Sequence, residues 1–219
     1  MIKCVFFDFD GTIADSMPYW EKSSVEDLKA RGIEPPEDLL VRMSFMNFID
    51  STKFILKEFN LPDILEEAAA RRRAAMERYY ATEVPLVKDA DRVLSDLKER
   101  GIKSYITTVS SETMMMPCLK RLDVLKYFDG IFSCDDVPYP KTDERFFIEA
   151  ARKYGFAHDE VLVVDDSYGA IKTGKDVGMR TLGIYEKYSD SNWKRICDTA
   201  DYHIASFSEW DDIKEELLK

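Results

Sequence analysis

The chain has 219 residues, enough for one large domain or for a core domain with a smaller one beside it. Its formal charge of −11 argues against a sequence-independent nucleic-acid binder, which needs a basic face, so we expect no nucleic-acid partner. The chain holds two histidines, which excludes a metal site of several histidines within one chain, and no apolar stretch reaches the length of a membrane span. We expect a cytoplasmic protein with no membrane contact, and a monomer by default.

The predicted elements begin with a buried strand and then mostly alternate between strand and helix. Apolar runs predict strands at 2–8, 103–108, 130–133, 161–165 and 180–184. Helical patterns predict helices at 90–100, 112–122, 143–154 and 167–177, and a glycine just beyond three of them is the usual stop signal. This alternation predicts an α/β fold with a mostly parallel sheet, whose ligands bind beyond the carboxyl ends of the strands.

One segment, from about residue 15 to residue 82, contains only helical patterns. A first helix is predicted to begin near Ser16 and end at Gly32, and two more are predicted at 45–59 and 62–81. The sequence therefore predicts a core of residues 1–15 plus 84–219 and an inserted helical cap of residues 16–83. The basic run at 71–73 within this cap is interpreted as a solvated helix face.

Acidic residues follow two of the predicted strands. Asp8 and Asp10 end the first strand, and Asp165 and Asp166 end the fourth. Because the carboxyl ends of parallel strands meet at one edge of a sheet, these carboxylates converge, and such a cluster is not tolerated without a cation. Carboxylate oxygens are ligands that suit Mg²⁺. Gly11 allows a tight turn and a close approach of a ligand to the backbone.

Two weaker signals lie between these acidic motifs. Thr108 and Val109 stand where a strand passes into a helix, and hydroxyl and backbone N–H groups at such a place suit an anion. Lys141 lies in a loop just before a helix, from which its ammonium group could reach a phosphate as a point charge. Taken alone, each position has a plainer interpretation, since threonines at strand ends cap helices and lysines in loops are solvated.

The four motifs, in this order, resemble those of the haloacid dehalogenase-like hydrolase superfamily. The likeness is to the branch with a helical cap, that of the phosphoglycolate phosphatases and β-phosphoglucomutases. The matching residues are Asp8, Asp10, Gly11 and Thr12 for the first motif, Thr108 for the second, Lys141 for the third, and Asp165 with Asp166 for the fourth. The resemblance implies a Rossmann-like, three-layer parallel-sheet core with an inserted α-helical cap.

The resemblance also implies an activity, that of a Mg²⁺-dependent phosphatase acting on a small phosphorylated metabolite. Asp8 would be the nucleophile that forms a phosphoaspartyl intermediate, and Asp10 would act as general acid and then as general base. Mg²⁺ would be held by the Asp8 carboxylate, the Asp10 backbone carbonyl and Asp166. Asp165 would be either a direct ligand or a partner of one.

The phosphate itself would be held by groups from three motifs. Thr108, the backbone N–H of Val109 and Lys141 would stabilise its non-bridging oxygens, next to the turn at Gly11. Val109 departs from the pattern, since many relatives have a polar side chain there. This departure leaves the core chemistry intact.

Alternatives stay open within the same fold. A sugar phosphomutase of the β-phosphoglucomutase type shares all four motifs, but its first cap helix carries a histidine where this chain has Trp20, which favours hydrolysis. A catalytically silent binding protein is the other alternative, whereas Asp10 disfavours a dehalogenase. Substrate specificity is expected in the cap, where Arg42 is the candidate partner for a second anionic group. Further candidates, interpreted mainly as cap core, are Tyr19, Trp20, Met43, Phe45 and Met46.

Overall fold

The computed structural model describes residues 1–43, 46, 48–133 and 135–219. The strands in this part of the chain form one sheet in the order β3-β2-β1-β4-β5-β6, and every neighbouring pair is parallel. They are β1 (Cys4–Phe7), β2 (Lys103–Thr107), β3 (Gly130–Phe132), β4 (Val161–Asp165), β5 (Arg180–Ile184) and β6 (Tyr202–Ile204). The predicted α/β fold is confirmed. The sequence analysis missed β6, a short edge strand of three residues.

Ten helices of the α type connect and flank these strands in the described residues. They are α1 (Met17–Ala30), α2 (Leu39–Met43), α3 (Phe48–Glu58), α4 (Leu65–Thr82), α5 (Ala90–Glu99), α6 (Glu112–Arg121), α7 (Glu144–Tyr154), α8 (Tyr168–Asp176), α9 (Asp190–Thr199) and α10 (Trp210–Leu217). Helices α5 to α8 lie where the sequence predicts them, whereas α2, α9 and α10 were not predicted. None of these helices combines the length and apolar character that crossing a membrane requires.

The sheet is covered by helices on both faces. Val5 and Phe7 of β1 pack in one cluster with residues of α5, α6 and α10, whereas Cys4 and Phe6 pack in a second cluster with residues of α7 and α8. This alternation is the period of two that a strand imposes on its side chains. A strand buried on both faces, as β1 is, reads as a continuous apolar run in the sequence.

Helices α1 to α4, called the cap helices below, lie between β1 and α5 in the chain. They contain an apolar cluster of their own, formed by Leu28, Leu39, Met43 and Ile55. Tyr80 of α4 instead packs into the larger cluster beneath the sheet, so α4 ties the cap helices to the core. The division into core and cap at residues 16 and 84 stays a prediction. The predicted helix at 45–59 begins at Phe45, which lies outside the described residues.

Candidate active site

The strand register brings the two acidic motifs together. Phe7 of β1 pairs with Val164 of β4 in parallel register, and the backbone N–H of Asp8 donates to the Val164 carbonyl at 2.9 Å. The next residue along each strand is Asp8 on one and Asp165 on the other. Two carboxylates therefore stand side by side at the carboxyl edge near the centre of the sheet.

Lys141 lies between these two carboxylates. Its ammonium nitrogen is 2.6 Å from Oδ1 of Asp8 and 2.6 Å from Oδ2 of Asp165, and it donates to the backbone carbonyl of Thr107 at 2.6 Å. Burial by itself would lower the pKa of Lys141, but the carboxylates of Asp165 and Asp8 outweigh it, so that the net shift of the pKa is upward. Lys141 is therefore positively charged at neutral pH. It is distant in sequence from Asp8, yet the fold brings it into contact with the acidic cluster.

Asp166 completes the acidic cluster and is held by hydroxyl groups. Its carboxylate accepts hydrogen bonds from Thr12 at 3.3 Å and from Ser189 at 3.0 Å. Gly11 has a left-handed backbone with φ of 84°, and a Cβ atom built there would lie 3.0 Å from the Asp166 carboxylate. A side chain at position 11 would thus meet both backbone strain and a steric conflict. Burial raises the pKa of Asp166 well above its ordinary value, and Asp165 adds to this shift.

The three carboxylates have the arrangement of a cation site. One oxygen from each of Asp8, Asp165 and Asp166 lies within 4.8 Å of the other two, and all three residues are buried. Burial also raises the pKa of Asp8, and repulsion from Asp165 and Asp10 adds to the rise while Lys141 opposes it. Lys141 contacts Asp8 and Asp165 and brings one positive charge to a cluster of three buried carboxyl groups. A divalent cation that prefers oxygen ligands fits this donor set.

Asp10 lies apart from this cluster and is fixed by four donors. Its Oδ1 accepts hydrogen bonds from the Ser16 hydroxyl at 2.5 Å, the Trp20 indole at 3.2 Å and the Tyr80 phenol. Its Oδ2 accepts one from the Ser110 hydroxyl at 2.6 Å. Three of these four donors come from the cap helices α1 and α4 or from Ser16, which directly precedes α1. The cap helices therefore orient the Asp10 carboxylate. The sequence analysis did not identify Ser16, Tyr80 and Ser110 as donors to Asp10.

The second motif lies at the end of β2. Thr108 is fully buried, and its hydroxyl oxygen accepts a hydrogen bond from the backbone N–H of Ser110 at 3.0 Å. That contact leaves the Thr108 hydroxyl proton available to another acceptor. Val109 is 58% exposed, although it is a large apolar residue, and its side chain lines the cavity described next.

A cavity of about 360 Å³ lies between the cap helices and the core. Asp10, Trp20, Met43 and Met46 line it, whereas Arg42 is not among its lining residues in the described part of the chain. The Arg42 guanidinium instead pairs with Glu58 at 2.6 Å. Of the specificity candidates, Trp20 faces the cavity and touches Asp10, and Arg42 is engaged elsewhere. We call this space the cap cavity.

Known proteins share this sequence pattern and this fold. A family model for haloacid dehalogenase-like hydrolase matches residues 2–178. The chain is similar to 6-phosphogluconate phosphatase of Escherichia coli (strain K12), at 28% identity over 185 residues that cover 83% of this chain and 81% of that protein. It is also similar to the phosphorylated carbohydrates phosphatase of Thermotoga maritima, at 24% identity over 193 residues, 86% of this chain and 88% of that protein. The crystal structure of CbbY from Rhodobacter sphaeroides in complex with phosphate has the same fold, with a TM-score of 0.79, 19% identity and 96% of each chain covered.

Proposed function

The chain belongs to the haloacid dehalogenase-like hydrolases, and we propose that it is a Mg²⁺-dependent phosphatase whose substrate is a small phosphomonoester. The observation that carries this proposal is the contact of Lys141 with Asp8 and Asp165 at the carboxyl edge of the sheet. It sets a carboxylate beside a fixed cation, the pairing that an anionic nucleophile needs before it can approach a phosphate. The relatives described above are named as phosphatases, which supports the same reaction.

Mg²⁺ is the cation that we propose for the acidic cluster. Asp8, Asp165 and Asp166 would hold it, and the backbone carbonyl of Asp10 is the fourth proposed ligand. Bound there, the ion would neutralise charge on the phosphoryl oxygens. The carboxylate of Asp10 is held by four donors and is not part of the acidic cluster, so we assign its side chain to proton transfer and not to the metal.

Asp8 is the proposed nucleophile of the first step. One of its carboxylate oxygens attacks phosphorus, and the bond between phosphorus and the leaving oxygen breaks. Asp10 donates a proton to that oxygen, so the alcohol portion of the substrate leaves as a neutral alcohol. The phosphoryl group then sits on Asp8 as an acyl phosphate.

Water completes the reaction in the second step. Asp10, now ionised, accepts a proton from the water that attacks phosphorus, and the bond between phosphorus and the Asp8 oxygen breaks. Inorganic phosphate leaves and both carboxyl groups return to their starting states. Thr108, the backbone N–H of Val109, the turn at Gly11 and Lys141 are the groups proposed to bind the phosphoryl oxygens.

Tyr80 is expected to position the general acid and base. Burial, and then the neighbouring Asp10 carboxylate, raise the pKa of Tyr80 well above its ordinary value, so the phenol stays protonated and donates. We expect Tyr80→Phe to lower kcat by about tenfold, because one of four donors that orient Asp10 is lost from a step worth about 10²–10⁴. Stopped assays of phosphate release at saturating substrate measure this, alongside the pH profile of kcat.

Tyr79→Phe is the matched control for this variant. Tyr79 is the preceding residue of α4 and its hydroxyl contacts Glu26, away from Asp10. Its removal is expected to leave kcat and the shape of the pH profile unchanged. Equal losses in the two variants would contradict a positioning role for Tyr80 and indicate a general effect on α4.

Trp20 favours hydrolysis over the mutase alternative. Its indole N–H donates to Asp10, but an indole has no acceptor and does not titrate near neutral pH. It therefore lacks the proton chemistry of the histidine that mutases of this type carry. The mutase alternative would be supported instead by an isomerised sugar phosphate among the products.

The proposed function is tested by phosphate release from a panel of small phosphomonoesters. Release from at least one member with Mg²⁺, and its loss with excess chelator, is the expected outcome. Phosphorus NMR of the same reactions distinguishes inorganic phosphate from an isomerised phosphate ester. No turnover by any member, with phosphate esters still bound, would point to the silent binding protein.

A further inference from the structure

Arg72 is a buried cation on the wall of the cap cavity. It belongs to α4, lines the cavity, and is only 5% exposed. The interpretation of residues 71–73 as a solvated helix face is therefore wrong for Arg72. A guanidinium group that is removed from water needs acceptors for its five N–H groups and a negative charge to offset its own.

Hydroxyl groups satisfy part of this requirement. One terminal nitrogen of Arg72 donates to Ser51 at 3.0 Å, to Thr52 and to the backbone carbonyl of Phe48 at 3.3 Å, and the other donates to Ser24 at 3.1 Å. The Nε atom is buried and has no hydrogen-bond partner among the residues that the structure describes. The guanidinium thus keeps unused donor capacity after its contacts within the protein have been counted.

No carboxylate pairs with Arg72 among the described residues. The carboxylate that influences it most is Asp27, which is already paired with Arg31 and Arg71. Burial lowers the pKa of Arg72 to about 10, so the group remains charged at neutral pH. The protein thus holds a charged guanidinium at the cavity wall with no acid of the described residues paired to it.

The surroundings of Arg72 concentrate positive charge in one part of the cap cavity. Arg73 also lines the cavity, and no carboxylate of the described chain lies within ion-pair distance of it. Both guanidinium groups lie over the ring of Phe48, at 5.0 and 5.9 Å from its centre. Two carboxylates also line the cavity, Glu21 and Asp135, and they accept hydrogen bonds from Tyr188 and Ser111, respectively.

We propose that Arg72, assisted by Arg73, binds a second anionic group on the alcohol portion of the substrate. The proposal rests on the proposed function, because the reacting phosphate is assigned to Asp8 and Lys141 at the core side of the cavity. The second group is an oxyanion, either a carboxylate or another phosphate, since both match the fork of a guanidinium. Arg72 thus takes the role that the sequence analysis expected of Arg42, because Arg42 pairs with Glu58.

The test uses matched pairs of phosphomonoesters that differ in one terminal group. Each pair is an ω-carboxyalkyl phosphate and the ω-hydroxyalkyl phosphate with a carbon chain of the same length, in a series of increasing length. A bisphosphate of the best length distinguishes phosphate from carboxylate. We expect kcat/KM for the anionic member to be higher by about 10- to 100-fold at one chain length, the effect of a charged hydrogen bond.

Three variants connect this preference to residues. Both Arg72→Gln and Arg73→Gln are expected to reduce the preference for the anionic member. In Arg72→Gln the preference should fall to roughly twofold or less, mainly because KM for the anionic member rises. Arg71→Gln is the control, because it removes the same charge from the same helix but Arg71 pairs with Asp27 and Asp63 outside the cavity. Thermal unfolding is measured for each variant to detect a loss of stability. A purely structural role of Arg72 would change kcat/KM for both members of a pair alike.

Binding to the inactive Asp8→Asn protein separates this inference from the proposed function. Calorimetric titration with both members of the best pair is expected to show tighter binding of the anionic one, lost in Arg72→Gln. Turnover of both members at equal kcat/KM in the wild type would overturn the anion site and leave the phosphatase assignment intact. Preferential binding that depends on Arg72 but no turnover of any ester would overturn the phosphatase assignment and support the anion site.

Discussion

Replacing Asp8 with asparagine is expected to lower phosphate release by at least about 10⁴-fold, because the variant loses the nucleophile of the first step. The amide is neutral and cannot attack phosphorus as a carboxylate oxygen does. Lys141 keeps its contact with Asp165 in the variant, and a repulsion between buried acids is removed, so the fold is expected to persist. Steady-state phosphate release and thermal unfolding, measured on the same preparations, check both expectations.

A second readout identifies the covalent intermediate itself. Brief reaction with phosphate-labelled substrate, followed by acid quenching, is expected to leave label on the peptide that contains Asp8 in the wild type and none in Asp8→Asn. Asp15→Asn is the matched control, since Asp15 is a nearby exposed acid outside the cluster. Label on another residue, or release within about tenfold of the wild-type rate in Asp8→Asn, would contradict the nucleophile assignment.

The centre of the site could be predicted because it lies on buried parallel strands. Asp8 and Asp165 follow apolar runs that read as strands, and parallel pairing requires the ends of such strands to meet at one edge. Lys141 belongs to a loop, and its place in the cluster came from the resemblance to a known family. The structure gives the physical reason for it, an ion pair with both acids.

The surroundings of Asp10 could not be predicted in this way. Tyr80 is 70 residues from Asp10 in sequence, and its contact depends on how α4 packs. Ser110 is 100 residues away, in the loop that follows β2, the neighbour of β1 in the sheet. No periodicity within the chain marks one tyrosine of α4 as a donor to an acid in another part of the fold. Such contacts require tertiary structure.

Arg72 illustrates a different limit of the sequence. Three consecutive arginines on a helix point in three directions, since successive residues are about 100° apart around the axis. Arg71 pairs with acids near the surface, whereas Arg72 is buried among hydroxyl groups of α1 and α3. Composition favours a solvated face for all three, and only packing against the neighbouring helices distinguishes the middle one.

Removing Mg²⁺ is expected to remove most of the activity and also to lower the stability of the protein. Excess chelator should reduce phosphate release by on the order of 10³-fold, because the cation is expected to supply several kcal/mol of transition-state stabilisation. Asp8, Asp165 and Asp166 are buried together, so an ion that binds this cluster only in the folded state raises the free energy of unfolding. At a Mg²⁺ concentration about 100 times the Kd, linkage predicts about 2.7 kcal/mol, which thermal unfolding with and without the ion measures.

Asp166→Asn connects that stabilisation to the cluster. Burial raises the pKa of Asp166 because the ionised form is costly there, so the metal-free variant is expected to be at least as stable as the metal-free wild type. Its gain in stability on adding Mg²⁺ should nearly vanish, since one of three carboxylate ligands becomes a neutral amide. Asp15→Asn should keep the full gain. An unchanged gain in Asp166→Asn would place the cation elsewhere, because a site that does not use this carboxylate would not respond to its loss.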